Sequence, residues 1–276
     1  MSAPYLTICI LCVLLGIAFL YRFCLVFQSS REGYETGASK TIGSREIQMD
    51  YYTIEENENG LLAVLADGMG KEAGGRIAAK TVIRVFKEIF ETYNMADHPS
   101  YFFKKAFQTA NREILKQMDE GRGMAAVSAV MIQGGFLFYG IVGNVKIAVF
   151  RNEELIPLGT GHTVDVLAQD KYVEGILTRE DALSMLQEKR IYNYLGRDGF
   201  KEIQFYDKPI RLQEEDVVAI FSNGMHESVT WKEMEDCLSQ KKRCRRIAFD
   251  LVELVNQKKG DKDNASVVLI RVGEMT

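Results

Sequence analysis

The sequence predicts an α+β fold built on antiparallel sheets, and two observations carry this prediction. Short apolar runs bounded by turn residues follow one another along the chain, and amphipathic helical segments interrupt them in two groups. Runs of strands separated by runs of helices favour antiparallel sheets, because successive parallel strands would need a crossover helix between them. A third observation, one long apolar segment near the N-terminus, predicts a single transmembrane helix in front of this domain.

Composition and charge argue against a nucleic-acid binder and a cysteine-based scaffold. The chain has 276 residues, of which 47% are hydrophobic and 26% are charged, as is usual for a folded protein. Its formal net charge of -4 gives no basic excess, so we expect no nucleic-acid partner. The five cysteines have neither the spacing of zinc ligands nor the density of a disulfide framework.

The membrane signal is the apolar segment at residues 4–27, which only Arg22 interrupts. It is long enough to cross a bilayer as a helix, and Arg22 near its end can extend to the lipid headgroups. A cleaved signal peptide is the alternative, but no Lys or Arg precedes the segment and no clear small-x-small cleavage site follows it. We therefore predict an uncleaved anchor at residues 1–28.

The orientation of this anchor follows from the basic residues beside it. Arg31, Lys40 and Arg45 follow the segment and none precedes it, which by the positive-inside rule places the rest of the chain in the cytoplasm. We therefore predict a single-pass protein of the cell membrane, with the membrane as a partner through residues 4–27. Polar Ser, Gly and Thr content predicts a linker at residues 29–40, followed by a folded domain at residues 41–276.

An aspartate directly follows the first two predicted strands of the domain. Residues 47–54 carry β-branched and aromatic side chains, and a polar turn separates them from the apolar run at residues 61–66, so we expect a hairpin. Asp67 follows that run at once, and Gly68 and Gly70 permit a close approach of a ligand or a positive φ. A cation site and an ordinary Asp-Gly turn are both consistent with this pattern.

The remaining elements follow from periodicity and from turn residues. Apolar side chains at helical spacing predict helices, and apolar runs between turn residues predict strands. The Gly134-Gly135 and Gly143-Asn144 pairs are predicted to be hairpin turns of an antiparallel meander. The predicted helices cover residues 76–93, 100–118, 178–194, 230–238 and 245–257, and the predicted strands cover residues 125–132, 135–142, 145–151, 216–222 and 265–272.

Polar side chains lie at the ends of three apolar strands. Asp67 and Asn223 each follow a strand, Asp263 closely precedes one, and Asp50 lies within the first strand. Carboxylate and amide oxygens are ligands that Mg²⁺ and Mn²⁺ accept. Two such ions can activate a water molecule and hold a phosphoryl group during hydrolysis. Each residue taken singly is also explained as a turn residue at a strand end.

Taken together, these segments resemble the type 2C, metal-dependent family of protein serine/threonine phosphatases over residues 42–272. No single motif is specific, but seven occur in the order that the family shows. The matching segments are REIQMD at residues 45–50, LADGMG at 65–70, VGN at 142–144, LGTGH at 158–162, GILT with Ala182 and NYLG at 175–196, SNG at 222–224 and DNAS at 263–266.

The resemblance implies a four-layer αββα sandwich of two antiparallel sheets flanked by helices, with a centre of two Mn²⁺ or Mg²⁺ ions at one edge. Asp67 would bridge both ions, the Gly68 carbonyl would bind one, and Asp263 the other. Asp50 would hold a water molecule of the centre, and Arg45 would bind the substrate phosphate. The implied substrate or partner is a phosphorylated protein.

Three positions depart from the family's pattern, and each lacks a negative charge. Asn223 stands where family members have an aspartate ligand; its amide oxygen can still coordinate, but binding at that ion should weaken. Met49 stands where some members have a coordinating Glu, and a thioether is a poor ligand for a hard cation. Asn144 replaces an acidic residue linked with a further, looser metal site, although Glu227 keeps a carboxylate nearby in the sequence.

Two functions therefore follow from the resemblance, beside a third possibility, an inert scaffold whose function lies in its membrane location. In the first, the chain is a membrane-anchored phosphatase that hydrolyses phosphoserine and phosphothreonine by metal-activated water. In the second, it is a pseudophosphatase, a phosphoprotein-binding or regulatory module with weak or absent catalysis. The retained Asp50, Asp67, Asp263 and Arg45 favour the first function, and the three substitutions favour the second.

Overall fold

The computed structural model describes residues 33–273, apart from 72, 95–97, 187–189 and 207, together with Gly16. The predicted transmembrane segment at residues 4–27 therefore lies outside the described residues, apart from Gly16. Among the residues that are described, no helix is both long enough and apolar enough to cross a bilayer.

Groups of strands and groups of helices alternate along the described chain. The strands are β1 (Tyr34–Thr41), β2 (Tyr51–Asn57), β3 (Gly60–Gly70), β4 (Gly123–Gln133), β5 (Phe136–Val142), β6 (Lys146–Arg151), β7 (Glu154–Leu158), β8 (Gln204–Phe205), β9 (Ile210–Arg211), β10 (Val217–Phe221) and β11 (Ala265–Val272). The helices are α1 (Gly74–Glu91), α2 (Pro99–Gln117), α3 (Val164–Val173), α4 (Arg179–Met185), α5 (Asn223–Ser228), α6 (Trp231–Leu238) and α7 (Cys244–Gln257).

The strands form two antiparallel sheets, which confirms the predicted α+β class. One sheet has the order β1-β11-β10-β6-β7, and the other has the order β2-β3-β4-β5-β8, with β9 also paired to β5. Each neighbouring pair is antiparallel. The predicted hairpin of β2 with β3 is present, with Tyr51 opposite Ala66.

The side chains of β10 show how the layers stack. Val218 and Ile220 lie in the core shared by the two sheets, whereas Ala219 and Phe221 lie in a second core with α6 and α7. Successive side chains of a strand point to opposite faces, so this sheet has the other sheet on one face and helices on its other face. Helix α1 packs on β3 and β4 of the other sheet. The domain therefore has helix, sheet, sheet and helix layers.

The N-terminal boundary of this domain differs from the prediction. Residues 34–41, which the composition assigns almost entirely to a linker, form β1 and pair along their whole length with β11. Gly37 packs so closely on Cys244 of α7 that a β-carbon would overlap the main chain there. The Ser, Gly and Thr content reflects an edge strand in tight contact with a helix, so the linker prediction is wrong for these residues.

The predicted hairpin at Gly143-Asn144 is also wrong. Strand β5 pairs with β4, β8 and β9, whereas β6 pairs with β10 and β7. The chain therefore passes from one sheet to the other at Gly143 and Asn144. Both strands are mostly buried, so their apolar pattern could not show that they belong to different sheets. The other predicted turn, Gly134-Gly135, does join the hairpin of β4 and β5.

Several strands and helices near the site begin or end at residues other than those predicted, and two helices were not predicted. β3 continues to Gly70, so Asp67 lies inside a strand and not after it, while Asp50 directly precedes β2. The helix predicted at residues 178–194 is shorter, because α4 ends at Met185. Helices α3 and α5 were not predicted; α5 begins at Asn223 itself, where the sequence had indicated only a turn.

Candidate metal centre

Asp67 is carried by an interior strand whose end is locked against helix α1. Its main chain pairs with Ala126 of β4. Gly68 lies so close to the carbonyl groups of Gly75 and Met49 that a β-carbon would not fit, and a β-carbon on Gly75 would overlap Met49, Met69 and Gly68. Both glycines are required by this close approach, which fixes the backbone on which Asp67 is mounted.

Asp50 is fully buried directly before β2. Neither of its carboxyl oxygens has a hydrogen-bond partner among the described residues. Burial raises the pKa of Asp50 to about 6, an effect that the nearby hydroxyls of Ser266 and Ser222 oppose. These hydroxyls lie close to Asp50 but do not meet it in hydrogen-bond geometry. A buried carboxyl without a well-placed donor is costly, so this position suits a cation or a water molecule held by one.

Burial also raises the pKa of Asp67 well above its ordinary value, and the charge of Asp50 raises it further. The main-chain nitrogen of Asn223 donates a hydrogen bond to Asp67 Oδ2 at 3.2 Å. Two carboxyl groups that disfavour each other's ionised form are stabilised together by a divalent cation.

Asp263 lies on the loop before β11 and is paired with Arg45. Arg45 Nε donates to Asp263 Oδ1 at 3.0 Å, and Arg45 Nη2 donates to Oδ2 at 3.4 Å. This hydrogen bond raises the pKa of Arg45. About half of each side chain is exposed, so the pair can separate at little cost. Arg45, predicted to bind a phosphate, therefore lies at the site but contacts a carboxylate.

An open cleft brings most of the predicted site residues together. It has a volume of about 520 Å³. Asp67, Gly68, Asp263 and Arg45 line it together with Met49. Asp50 lies beneath the surface of this region and interacts electrostatically with both Asp67 and Asp263. We call Asp50, Asp67 and Asp263 the carboxylate half of the centre.

Asn223, the remaining predicted ligand, is engaged elsewhere. Its Oδ1 accepts a hydrogen bond of 2.7 Å from Asn144 Nδ2. Asn144 is nearly buried, and its own Oδ1 has no hydrogen-bond partner among the described residues. We call Asn144 and Asn223 the amide half. It supplies no negative charge to a cation.

The charged oxygen ligands therefore lie in one half of the centre, and the other half offers a cation only the amide oxygen of Asn144, which is unpartnered among the described residues. In the carboxylate half, Asp67, Asp263 and the Gly68 carbonyl are oxygen ligands of the kind that Mn²⁺ and Mg²⁺ prefer. Within the described part of the chain, however, no three His, Cys, Asp or Glu side chains are grouped closely enough to be a preformed metal cluster. The two amides account for part of this result, because they occupy positions where the resemblance implies acids.

Two supporting residues were missed by the sequence reasoning. His162 Nδ1 accepts a hydrogen bond from Gly143 N at 3.1 Å, beside Asn144. Asn264 Oδ1 accepts from Met49 N at 2.7 Å, which ties the loop that carries Arg45 to the start of β11. Both residues lie in matched motifs, but nothing in the sequence shows which main-chain groups they contact.

Comparisons with known proteins identify the family of this chain. The family model for protein phosphatase 2C matches residues 37–262. The serine/threonine phosphatase stp of Listeria monocytogenes is 26% identical over 225 residues, covering 79% of this chain and 86% of that protein. Protein phosphatase PhpP of Streptococcus pneumoniae is 25% identical over 236 residues, covering 83% and 94%.

Solved structures share the same fold. The serine/threonine phosphatase of S. agalactiae has a TM-score of 0.74 at 27% identity, covering 87% of this chain and 100% of that one. The catalytic domain of PstP, solved in complex with 2 manganese ions, has a TM-score of 0.70 at 22% identity, covering 87% and 99%. The chain therefore belongs to the protein phosphatase 2C family of metal-dependent serine/threonine phosphatases.

Proposed function

We propose that this chain hydrolyses phosphoserine and phosphothreonine in proteins, using Mn²⁺ or Mg²⁺ held at the carboxylate half of its centre. The observation that carries this proposal is the buried carboxyl of Asp50, which has no hydrogen-bond partner among the described residues and lies beside Asp67. Such an arrangement is costly unless a cation is bound there. The names of the relatives, serine/threonine phosphatase stp among them, support the substrate class.

The residues have distinct roles in this proposal. Asp67, Asp263 and the Gly68 carbonyl hold the cation, which when bound supplies an activated water molecule and neutralises charge on the phosphoryl group. Asp50 holds and orients water from beneath the cleft. Arg45 exchanges its exposed contact with Asp263 for the phosphate of the substrate, a group that its guanidinium can bind through two hydrogen bonds.

An assay of the full-length chain on phosphoserine and phosphothreonine peptides in millimolar MnCl₂ tests the activity. We expect turnover that EDTA abolishes and that Asp67→Ala reduces to the level of the EDTA-treated protein. Turnover that is absent in MnCl₂, together with binding of phosphorylated peptides over their unphosphorylated forms, would instead identify a pseudophosphatase that recognises phosphoproteins. The amide half is the observation that favours this second function, because it lacks the charge of the acids it replaces.

We also propose that residues 4–27 anchor the domain at the cytoplasmic face of the cell membrane. The support is the length and apolarity of this segment and the basic residues that follow it. In fractionated cells, the full-length chain is expected in the membrane pellet after a high-salt wash. Deletion of residues 1–28 is expected to release it to the soluble fraction. A full-length chain found in the soluble fraction would contradict the anchor.

A further inference from the structure

The two residues of the amide half come from different parts of the fold. Asn144 lies where the chain crosses from β5 to β6, and Asn223 is the first residue of α5. Asn144 is 6% exposed, and the hydrogen bond from its Nδ2 to Asn223 Oδ1 is 2.7 Å long. The pair is therefore a direct and largely buried bridge between an inter-sheet crossing and a helix start.

Amides at these two positions have a specific chemical consequence. A carboxylate only accepts hydrogen bonds, so two carboxylates this close would repel each other unless a cation or a proton lay between them. An amide carries both a donor and an acceptor, so two amides can bridge directly without an ion. One carboxylate and one amide can also bridge, since the amide still donates. The need for a cation would therefore return only if both residues became acids.

The Asn144–Asn223 pair is connected to the carboxylate half by a main-chain hydrogen bond. Asn223 N donates to Asp67 Oδ2 at 3.2 Å, so the position of Asn223 bears directly on the Asp67 carboxyl. Asn144 is held in turn from two sides, because its carbonyl oxygen lies 3.3 Å from His226 Nε2 and the preceding amide of Gly143 donates to His162. The start of α5 is thus fixed beside Asp67 by contacts within the protein.

We propose that the Asn144–Asn223 hydrogen bond is a metal-free clasp that replaces a bridging cation at this point, so that the chain binds divalent cations only at its carboxylate half. This inference deepens the proposed function, on which it rests for the presence of a cation at Asp67. It makes Asn144 and Asn223 positioning residues, which hold the start of α5 against Asp67 and do not need an ion to do so.

The test is a double-mutant cycle on the full-length chain, with N144D, N223D and N144D/N223D beside the wild type. The melting temperature of each protein is measured in EDTA and in saturating MnCl₂. The number of Mn²⁺ ions bound per chain is measured by equilibrium dialysis and metal analysis. Neither readout depends on turnover, so an inactive protein can still support or contradict the clasp.

We expect the two single variants to keep the bridge and to melt close to the wild type in EDTA. In EDTA, the melting temperature of the double variant should fall by more than the two single decreases added together. We expect this excess to be about 4 °C or more. MnCl₂ should restore most of this excess loss, and the double variant should bind one more Mn²⁺ ion than the wild type. Additive effects in EDTA, or an unchanged ion count in the double variant, would overturn the clasp.

A further variant, N144A, covers the case in which the double variant does not fold. It removes the donor without adding charge. We expect N144A to lower the melting temperature by the same few degrees in EDTA and in MnCl₂, with the wild-type number of bound ions. A drop in the ion count of N144A would show that Asn144 is a ligand and would contradict the proposal. A wild type that binds Mn²⁺ but lacks turnover would count against the proposed function alone.

Discussion

The carboxylate half and the amide half of the centre meet the same structural requirement with different chemistry. Both must hold polar side chains from separate chain segments next to each other in a largely buried position. The amide half satisfies Asn223 Oδ1 with a donor from Asn144 at 2.7 Å. The carboxylate half leaves both oxygens of Asp50 without a partner among the described residues, beside the like charge of Asp67. The amide half carries no charge and leaves only Asn144 Oδ1 without a partner among the described residues, whereas the carboxylate half requires a positive charge.

A third buried carboxylate shows what a permanent partner from the protein achieves. Asp216 is 2% exposed and receives two hydrogen bonds from Arg151, of 2.9 Å from Nε and 2.6 Å from Nη2. The same carboxyl also accepts from Gln213 N at 2.7 Å. Here the protein supplies its own cation, so this site should be indifferent to metal.

The largest effect is expected at this third site. Asp216→Asn leaves Arg151 without its charged partner and should lower the free energy of unfolding by about 3 kcal/mol. This value is at the low end for a buried pair, because 23% of the Arg151 side chain is exposed. Denaturant melts should show the same loss in EDTA and in MnCl₂. Lys116→Ala, which breaks a more exposed pair with Glu113, is the control and should cost less than about 1 kcal/mol.

Asp67→Asn should have the next largest effect, and it should destabilise the protein only when metal is present. Mn²⁺ at one hundred times its Kd is expected to stabilise the wild type by about 2.7 kcal/mol, and the variant should lose this gain. Without metal the variant should be more stable than the wild type, because it removes a charge that burial and Asp50 disfavour. Thermal melts with and without MnCl₂ measure both changes.

The matched control for this variant is Asp119→Asn, at a carboxylate that is 86% exposed and does not line the cleft. It should respond to MnCl₂ as the wild type does. An Asp67→Asn protein that keeps its Mn²⁺ response would show that the carboxylate half does not hold the cation.

A smaller effect is expected from an added charge at Met49, which lines the cleft. Met49→Glu places a carboxylate beside Asp67 and should raise the affinity for Mn²⁺ about tenfold, equivalent to about 1.4 kcal/mol. The neutral variant Met49→Gln has nearly the same shape and should leave the affinity near that of the wild type. Calorimetric titration measures both, and equal affinities would refute a role for charge at this position.

The smallest effect concerns pH and the amide half. Burial lowers the pKa of His162 below its usual 6.5, and its Nδ1 must be unprotonated to accept from Gly143 N. The unfolded chain therefore takes up a proton at a higher pH than the folded chain, so the stability that His162 contributes is present above about pH 6.5 and is lost as the pH falls. We expect His162→Asn, which keeps an acceptor but does not titrate, to flatten this dependence.

Melting temperatures at pH 7.5 and pH 5.5 in EDTA check this prediction. The difference between His162→Asn and the wild type should be a few degrees at most, since 1 kcal/mol corresponds to roughly 2–4 °C in a chain of this size. An identical change of melting temperature with pH in both proteins would show that His162 does not cause the pH dependence.

The sequence predicted the residues of the carboxylate half better than it predicted their surroundings. Asp67 and Asp263 could be identified because each lies close to a continuous apolar run in the sequence, which is a local signal. The bridge from Asn144 to Asn223 joins residues far apart in the chain, and it depends on Gly143-Asn144 crossing between sheets where a hairpin was expected. Such pairings follow from packing in three dimensions and leave no periodic trace in the sequence.

The error at β1 has a similar cause. Its Ser, Gly and Thr residues are typical of a linker, but the strand is stabilised by main-chain hydrogen bonds to β11 and by the contact of Gly37 with α7. Main-chain pairing and a close helix contact do not require apolar side chains. Long apolar elements such as β3 and α1 were predicted well because the pattern of their apolar side chains indicates burial.

The most direct test of the difference between the two halves is the location of Mn²⁺ in crystals soaked in MnCl₂, measured by anomalous scattering. We expect a peak at ligand distance, roughly 2 Å, from a carboxylate oxygen of Asp67. We expect no peak at ligand distance from the side-chain oxygens of Asn144 and Asn223. A Mn²⁺ ion bound between these two amides would contradict the metal-free clasp.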